Sequence, residues 1–178
     1  IINFEAEYNQ TSYELFFDNN ITDLILETDF DNLDLIPADM KLADIEVEID
    51  QVKNKELILD NKFNENSPYD YILLDSPPSL GYISINALSC TDSIIIPCEP
   101  SLLALNGFEQ LLDLYNVIKD KINPELEIEG ILVTRNDKRS SIGEEFRNDL
   151  KDMYGYENVF KTKVSQSVAV SYSQIEGL

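Results

Sequence analysis

The sequence alternates short apolar runs with longer amphipathic segments, and this alternation limits the possible folds more than any other feature. Runs rich in β-branched and aromatic residues predict strands at Ile1–Phe4, Leu33–Ile36, Tyr71–Leu74, Ser93–Ile96, Ile128–Thr134 and Val159–Val164. Apolar residues spaced three and four apart predict helices at Ser12–Phe17, Ile21–Leu26, Lys41–Leu59 with interruptions, Ile83–Ser89, Leu102–Ile122 and Gly143–Met153. We therefore expect one α/β domain over residues 1–178, with a doubly wound, mostly parallel sheet and helices on both faces.

The residue types present exclude several kinds of chemistry. The 178 residues contain no histidine, which rules out imidazole acid–base catalysis, His-containing triads and His-ligated metal sites within this sequence. A bound metal would then be a hard ion held by oxygen atoms, magnesium first among them. The two cysteines, Cys90 and Cys98, form no CxxC pattern and fit packed thiols in a reducing cytosol. No apolar run approaches the roughly 20 residues that span a bilayer, so we expect a cytoplasmic protein without membrane contact.

The charge is strongly negative and unevenly distributed. The sequence has 34 acidic and 13 basic residues, a net charge of −21. Residues 1–134 hold 27 acids and 6 bases, whereas residues 135–163 hold 6 acids and 7 bases. Such a field repels nucleic acid unless a local basic patch overrides it, and the acidity also fits a surface that simply keeps the protein soluble.

The stretch DYILLDSPPSLG at residues 70–81 carries the main chemical signal. Its apolar run ends on Asp75, and Pro77 and Pro78 cannot continue a central strand ladder. Ligands of parallel α/β sheets bind outside the carboxyl ends of the strands, so a carboxylate there could hold magnesium, directly or through a water, against nucleotide phosphates. The alternative is that Asp75 only opens a turn, as aspartate often does.

Five motifs together resemble the ParA family of partition ATPases, in the group of deviant P-loop NTPases that includes MinD. They are YDYILLDSPPSLG, SINALSCTDSIIIPCEPSLLALNGFEQLL, NLDLIPAD at 32–39, IEGILVTRNDKRSSIG at 128–143 and VFKTKVSQSVAVS at 159–171. The Pro-Pro-Ser-Leu-Gly tail favours the partition branch over the MinD branch. The resemblance identifies Asp75 as the Walker B carboxylate that holds magnesium.

The resemblance implies an ATP-dependent switch in bacterial plasmid or chromosome partition. ATP with magnesium would clamp two subunits together, and hydrolysis, stimulated by a centromere-binding ParB-like partner, would release the dimer from DNA. Glu5 stands where the family orients the attacking water, and four residues would border the base: Thr134, Arg135, Ser165 and Gln166. Lys138 and Arg139 match positions that contact DNA in the family, although both also fit an ordinary solvated surface and the net charge makes DNA binding doubtful.

Two features depart from the family pattern. The resemblance places the family's Gly-rich, lysine-bearing loop before Ile1 and its last helices after Leu178, so we expect a domain truncated at both ends and a fragment without ATPase activity. Glu5 and Glu7 replace the aspartate and glutamine that the family usually has. A catalytically degenerate member that acts as an interaction module is therefore an alternative, and a MinD-like membrane-cycling ATPase is a third.

Overall fold

The computed structural model describes residues 10–17, 20–63, 67–137, 139–170 and 172. These residues form two compact units, one up to Cys90 and one from Thr91 onward. Each unit has its own buried apolar cluster. The predicted strand Ile1–Phe4 lies outside the described residues. Among the described residues, no helix is both long and apolar enough to cross a membrane.

The first unit consists of short helical turns and a two-stranded ribbon. Its 3₁₀ turns are Ser12–Phe16, Ile21–Leu24, Met40–Asp44 and Lys55–Leu57. Its other elements are β1 (Leu26–Glu27), β2 (Asp34–Leu35), α1 (Ile45–Glu48), α2 (Ile58–Phe63) and α3 (Tyr82–Cys90). The strand predicted at Leu33–Ile36 is thus present only as β2, and it pairs antiparallel with β1. A tight turn explains this pairing, because Leu33 donates to the carbonyl of Phe30 and Asn32 takes a left-handed conformation at φ 62°.

A buried asparagine ties the helices of this unit together. Asn86 is fully buried on α3, and its amide oxygen accepts a hydrogen bond from the backbone N–H of Leu59 at 3.1 Å. Its amide nitrogen donates to the carbonyls of Lys55 and Tyr82 at 2.7 and 2.9 Å. Since every polar group of the side chain is paired, Asn86 stabilises the contact between α2 and α3 rather than marking a ligand site.

The strand predicted at Tyr71–Leu74 is wrong. Residues 71–77 run without assigned secondary structure, and no described strand pairs with them. Tyr71 is 87% exposed and Leu73 is 91% exposed. The physical reason is that a strand needs a hydrogen-bonded neighbour, which an apolar sequence pattern does not supply. Asp75 therefore does not stand at the carboxyl end of a strand among the described residues.

The second unit is a three-stranded parallel sheet with two helices, which confirms the α/β, mostly parallel fold. Its elements in chain order are β3 (Ser93–Cys98), α4 (Leu102–Lys121), β4 (Glu127–Asn136), α5 (Ile142–Tyr154) and β5 (Val159–Ser165). The strands lie in the order β3-β4-β5, and both pairings are parallel. Each element begins or ends within two residues of its predicted bounds, because each has a clear apolar period of its own.

Both helices of this unit pack on one face of the sheet. The rings of Phe108 on α4 and Tyr154 on α5 lie 4.6 Å apart, edge to face. Beneath them is a buried cluster made of residues from all three strands and both helices: Ile96, Cys98, Phe108, Ile131, Val133, Phe146, Leu150 and Val159. The connections from β3 to β4 and from β4 to β5 advance in the same direction across the sheet, which places α4 and α5 on the same side. Ile95 of β3 lies on the opposite face and is 55% exposed.

The two cysteines are free thiols, as the sequence predicts. Burial raises the pKa of Cys98 to about 11 and that of the half-buried Cys90 to about 12. Both thiols therefore stay protonated and unreactive at neutral pH.

Candidate functional site

A cleft of about 440 Å³ opens at the carboxyl ends of the three parallel strands. We call it the carboxyl-edge cleft, and its lining residues are Glu99, Pro100, Arg135, Asp137, Ser140, Ile142, Gly143 and Gln166. Its volume falls within the range of roughly 300–1,000 Å³ that is usual for small-molecule sites. This edge of a parallel sheet is also where ligands of open α/β folds bind.

Each wall of the cleft follows from the end of one strand. Glu99 comes directly after β3, Arg135 is the penultimate residue of β4, and Gln166 comes directly after β5. The β4–β5 register is irregular between Val133 and Asn136, and Arg135 between them has φ 49°, a left-handed conformation. Left-handed backbone at a bulky residue is unfavourable by about 1–2 kcal/mol, and such strain concentrates at functional sites.

The charges of the cleft are paired. Arg135 Nη1 lies 3.0 Å from Glu99 Oε1. Arg139 places Nε and Nη2 each at 3.1 Å from the two carboxylate oxygens of Asp137, and its backbone N–H donates to the same carboxylate at 2.9 Å. These contacts hold the pKa of Asp137 below its ordinary value. Each carboxylate that lines the cleft is thus paired with a guanidinium group, although only Arg135 of the two arginines is itself a lining residue.

Asn136, the last residue of β4, lies between the lining residues Arg135 and Asp137 but does not itself line the cleft. Its carbonyl accepts a hydrogen bond from the backbone N–H of Gln166 at 3.1 Å. Its side chain is 7% exposed, and the amide oxygen is buried without a hydrogen-bond partner. That oxygen lies against Gly143, where an added Cβ would be only 1.6 Å away. No sequence pattern singled out Glu99 or Gly143, and the only signal for Asn136 is the change after Leu132-Val133-Thr134, where two polar residues follow an apolar run.

The structure brings together two of the four residues predicted to border a base. Arg135 and Gln166 line the carboxyl-edge cleft. Thr134 and Ser165 are half-buried and directly precede them, and Ser165 stands in register with Asn136. Of the two predicted DNA-contacting residues, Arg139 has a side chain 91% exposed and paired with Asp137, while Lys138 lies outside the described residues.

The structure describes only one of the two predicted catalytic carboxylates. Asp75 is exposed in the unpaired segment 71–77 of the first unit, and Glu5 lies outside the described residues. Within the part of the chain that the structure describes, no group of three or more acidic or cysteine side chains could hold a metal ion. A single exposed carboxylate nevertheless matches the way magnesium is usually bound, through one or two carboxylates, waters and substrate phosphates.

A second cleft, of about 360 Å³, lies in the same unit beside the start of β4. Its walls are mainly apolar and aromatic, and include Phe108, Leu112, Tyr115 and Ile128. The amide and ammonium groups there are already used, since Asn158 donates to the carbonyl of Tyr154 and Lys119 to that of Leu126. The carboxyl-edge cleft is therefore the better candidate site.

Comparison with known proteins identifies the family. Residues 2–128 match the AAA domain family AAA_31. The chain is 35% identical over 175 residues to the sporulation initiation inhibitor protein Soj of Bacillus subtilis, covering 97% of this chain and 69% of Soj. It is 32% identical over 154 residues to the chromosome partitioning protein ParA of Caulobacter vibrioides, covering 85% of this chain and 57% of that protein.

A solved structure supports the fold. Cobyrinic acid a,c-diamide synthase from Mycobacterium smegmatis, with bound ATP analogue and magnesium, matches with a TM-score of 0.81 and 25% identity. The match covers 88% of this chain and 62% of that one, so the chain spans only part of the length of these proteins. From the family match, the identities and this shared fold, the chain belongs to the ParA-type partition ATPase family, in the deviant P-loop NTPase group.

Proposed function

We propose that this chain is the nucleotide-responsive part of a ParA-like switch in plasmid or chromosome partition. In this proposal ATP hydrolysis drives dimer dissociation and release from DNA. The observation that carries the proposal is the carboxyl-edge cleft, which lies at the carboxyl ends of a parallel sheet. Arg135, whose backbone is left-handed, and Gln166 both line it. The name of the Caulobacter relative supports the partition role.

The cleft has the chemistry to hold a nucleoside. Gln166 offers amide donors and acceptors, Ser140 offers a hydroxyl, and Arg135 offers a planar guanidinium that can stack on a base. Thr134 and Ser165, one residue deeper on their strands, would set the height at which the base lies. Small numbers of polar groups in such a cleft fix orientation, while the surrounding walls exclude water.

Asp75 and Glu5 are the residues we assign to the phosphate end. Asp75 is the candidate ligand of magnesium, directly or through a water, and Glu5 is the candidate that orients the attacking water. When bound, magnesium neutralises charge on the phosphate oxygens. The role of Asp75 depends on charge rather than bulk, because its carboxylate is exposed and stands in an unpaired segment.

The partners follow from the same proposal. We expect an ATP-dependent homodimer in the cytoplasm and a ParB-like centromere-binding protein that stimulates turnover. Direct DNA binding would have to use the basic stretch that contains Lys138 and Arg139. Since Arg139 is already paired with Asp137 and the whole chain carries −21, we expect such binding to be weak and lost with added salt.

The decisive experiment replaces Asp75 in the complete encoded protein. Asp75→Asn keeps the shape and removes the charge, so magnesium-dependent ATP turnover should fall by about 10²–10³, roughly 2.7–4 kcal/mol, by analogy with deletion of one transition-state contact. Circular dichroism should not change, because an amide can still serve a turn. Asp70→Asn is the matched control, since it removes the same charge from an exposed residue just before this segment.

Unaltered turnover in Asp75→Asn would leave Asp75 as a turn residue only. Absence of magnesium-dependent ATP turnover in the wild type would instead favour the second candidate, a non-catalytic interaction module. One observation favours that candidate independently: Tyr71 and Leu73 expose 87% and 91% of their surfaces. Exposed apolar side chains grouped in this way often mark contact surfaces.

A further inference from the structure

The carboxylate of Glu46 closes the N-terminus of α3. Its Oε1 accepts a hydrogen bond from the backbone N–H of Tyr82, the first residue of α3, at 2.8 Å. The residue before the helix is Gly81, which has no side chain to accept from the free N–H groups of the first turn. Glu46, on α1 of the same unit, therefore supplies the acceptor that a Ser, Thr or Asp before a helix usually provides, and its charge suits the positive end of the helix dipole.

Gly81 leaves room for this carboxylate. A Cβ added at Gly81 would lie 1.6 Å from Oε1, 2.6 Å from Cδ and 3.0 Å from Oε2 of Glu46. The whole carboxylate thus packs against the backbone of Gly81, and even a methyl group there would displace it. The contact is therefore geometrically specific, although Glu46 as a residue is exposed.

The loop that leads into α3 is also held from the helix itself. The hydroxyl of Ser84, a buried residue in the first turn of α3, donates to the carbonyl of Ser79. Asn86 in turn ties α3 to α2. Residues 79–82 therefore have a defined position relative to the helices of this unit.

A stiff segment joins this loop to Asp75. The residues between Asp75 and Ser79 are Ser76, Pro77 and Pro78. Each proline fixes its own φ at about −65° and restricts the residue before it to extended conformations. Rotation remains mainly at Ser79 and the next residue, and the carbonyl of Ser79 is held by the helix. A displacement at the start of α3 is thus passed on to Asp75 rather than absorbed by the segment.

We propose that Glu46 is a positioning residue for Asp75. By fixing the start of α3, Glu46 sets through the proline segment where the Asp75 carboxylate lies when nucleotide and magnesium bind. This inference rests on the proposed role of Asp75 as a magnesium ligand and adds the residue that supports that role. Without the hydrogen bond from Tyr82, the Asp75 segment would sample more positions, and ordering it on binding would reduce affinity in the presence of magnesium.

The test measures the affinity of the complete encoded protein for a non-hydrolysable ATP analogue by calorimetry, once with magnesium and once with EDTA. The ratio of the two affinities reports the contribution of Asp75. Glu46→Ala should reduce this ratio about 10-fold, the effect of one hydrogen bond to a charged group, and leave the affinity in EDTA unchanged. Glu46→Gln, which keeps an acceptor, should retain most of the ratio. Gly81→Ala should act like Glu46→Ala, because its Cβ displaces the carboxylate.

Glu48→Ala is the matched control. It removes the same charge from the same helix together with a hydrogen bond, which Glu48 accepts from the hydroxyl of Tyr13. We expect it to leave the ratio unchanged. In the Asp75→Asn background, Glu46→Ala should lower the ratio no further, because it acts through Asp75.

Amide hydrogen exchange without nucleotide gives a second readout. Exchange of residues 76–82 should be faster in Glu46→Ala than in the wild type and unchanged in Glu48→Ala. Unchanged exchange in Glu46→Ala would show that the hydrogen bond does not fix this segment, and would overturn the inference.

The binding outcomes separate this inference from the proposed function. A ratio that falls in Asp75→Asn but not in Glu46→Ala overturns the inference and leaves the role of Asp75 standing. Equal losses in Glu46→Ala and Glu48→Ala overturn it in favour of a general effect of charge. A further loss from Glu46→Ala in the Asp75→Asn background also overturns it, because Glu46 would then act independently. A wild type that gains no affinity from magnesium overturns both the inference and the proposed role of Asp75.

Discussion

Arg135 and Glu99 form an ion pair, with 3.0 Å between Nη1 and Oε1, that joins the carboxyl end of β4 to that of β3. Their side chains are 67% and 48% exposed, so the pair contributes little to stability, at most about 1 kcal/mol. Its main consequence is electrostatic. The only guanidinium that lines the cleft, within the described residues, is held by a carboxylate that repels an anionic ligand.

Neutralising that carboxylate should strengthen nucleotide binding. In Glu99→Gln the guanidinium of Arg135 is released toward the ligand and one negative charge leaves the cleft, so we expect ATP affinity to rise about two- to fivefold, the range of one exposed charge pair. Calorimetry at low and high salt measures this, and the gain should shrink as salt screens it. Glu109→Gln on α4 removes the same charge away from the lining residues; an equal gain in that control would show a mere effect of net charge.

Two glycines next to or within helices should respond in opposite ways to alanine. Gly107 lies exposed inside α4 with no atom within 4 Å of an added Cβ, so Gly107→Ala should raise the free energy of unfolding by about 0.5–1 kcal/mol. Gly155 ends α5 at φ 97°, where its N–H donates to the carbonyl of Lys151. Gly155→Ala should therefore lower the free energy of unfolding by about 1 kcal/mol. Urea denaturation of both variants measures the difference, and a destabilised Gly107→Ala would contradict the α4 assignment.

Substitution by alanine on α5 should destabilise the protein at Leu150 and have little effect at Met153, three residues further on. Leu150 is fully buried in the cluster between α5 and the sheet, so Leu150→Ala should lower the free energy of unfolding by about 2–5 kcal/mol. Met153 on the same helix is 53% exposed, and Met153→Ala should change it by less than about 1 kcal/mol. Similar losses in both variants, measured by thermal or urea unfolding, would mean that α5 does not present Leu150 to the core.

The sequence predicts those elements whose pattern is local. Strands β3, β4 and β5 and helices α3, α4 and α5 carry complete periods within their own residues, and all six were placed within two residues of their bounds. The parallel α/β class then follows from their alternation. The family resemblance added Arg135 and Gln166 to the candidate site, although Thr134 and Ser165 stand one residue behind the cleft.

The parts of the structure that the sequence could not predict depend on which strands lie next to each other or on an irregular backbone conformation. Tyr71–Leu74 has a strand-like composition, but no described neighbour pairs with it. The burial of Asn136 depends on the left-handed conformation of Arg135, and the sequence does not predict it because arginine rarely adopts that conformation. The order of the strands brings Glu99 to Arg135 and places Gln166 in the same cleft, and residue types alone do not encode that order.

The last prediction concerns acid stability through Glu144, which links α5 to β5. Its carboxylate accepts a hydrogen bond from Lys163 and lies 3.2 Å from Nη1 of Arg147. The hydrogen bond from Lys163 is the main cause that holds the pKa of Glu144 below its ordinary value of 4.5. Since the folded pKa is lower than the unfolded one, the stabilisation is fully present above about pH 4.5 and is lost as the pH falls through the folded value.

Glu144→Gln removes this titration, so the variant should be less stable than the wild type at pH 7, with the difference shrinking steadily below pH 4.5. Urea denaturation at several pH values between 3 and 7 measures both curves. Asp149→Asn is the control, because it removes the same charge from an exposed position on α5. If the difference in the free energy of unfolding stays constant down to pH 3, Glu144 contributes through packing. If the two curves converge at low pH, the contribution that acid removes is the charge interaction of Glu144 with Lys163 and Arg147.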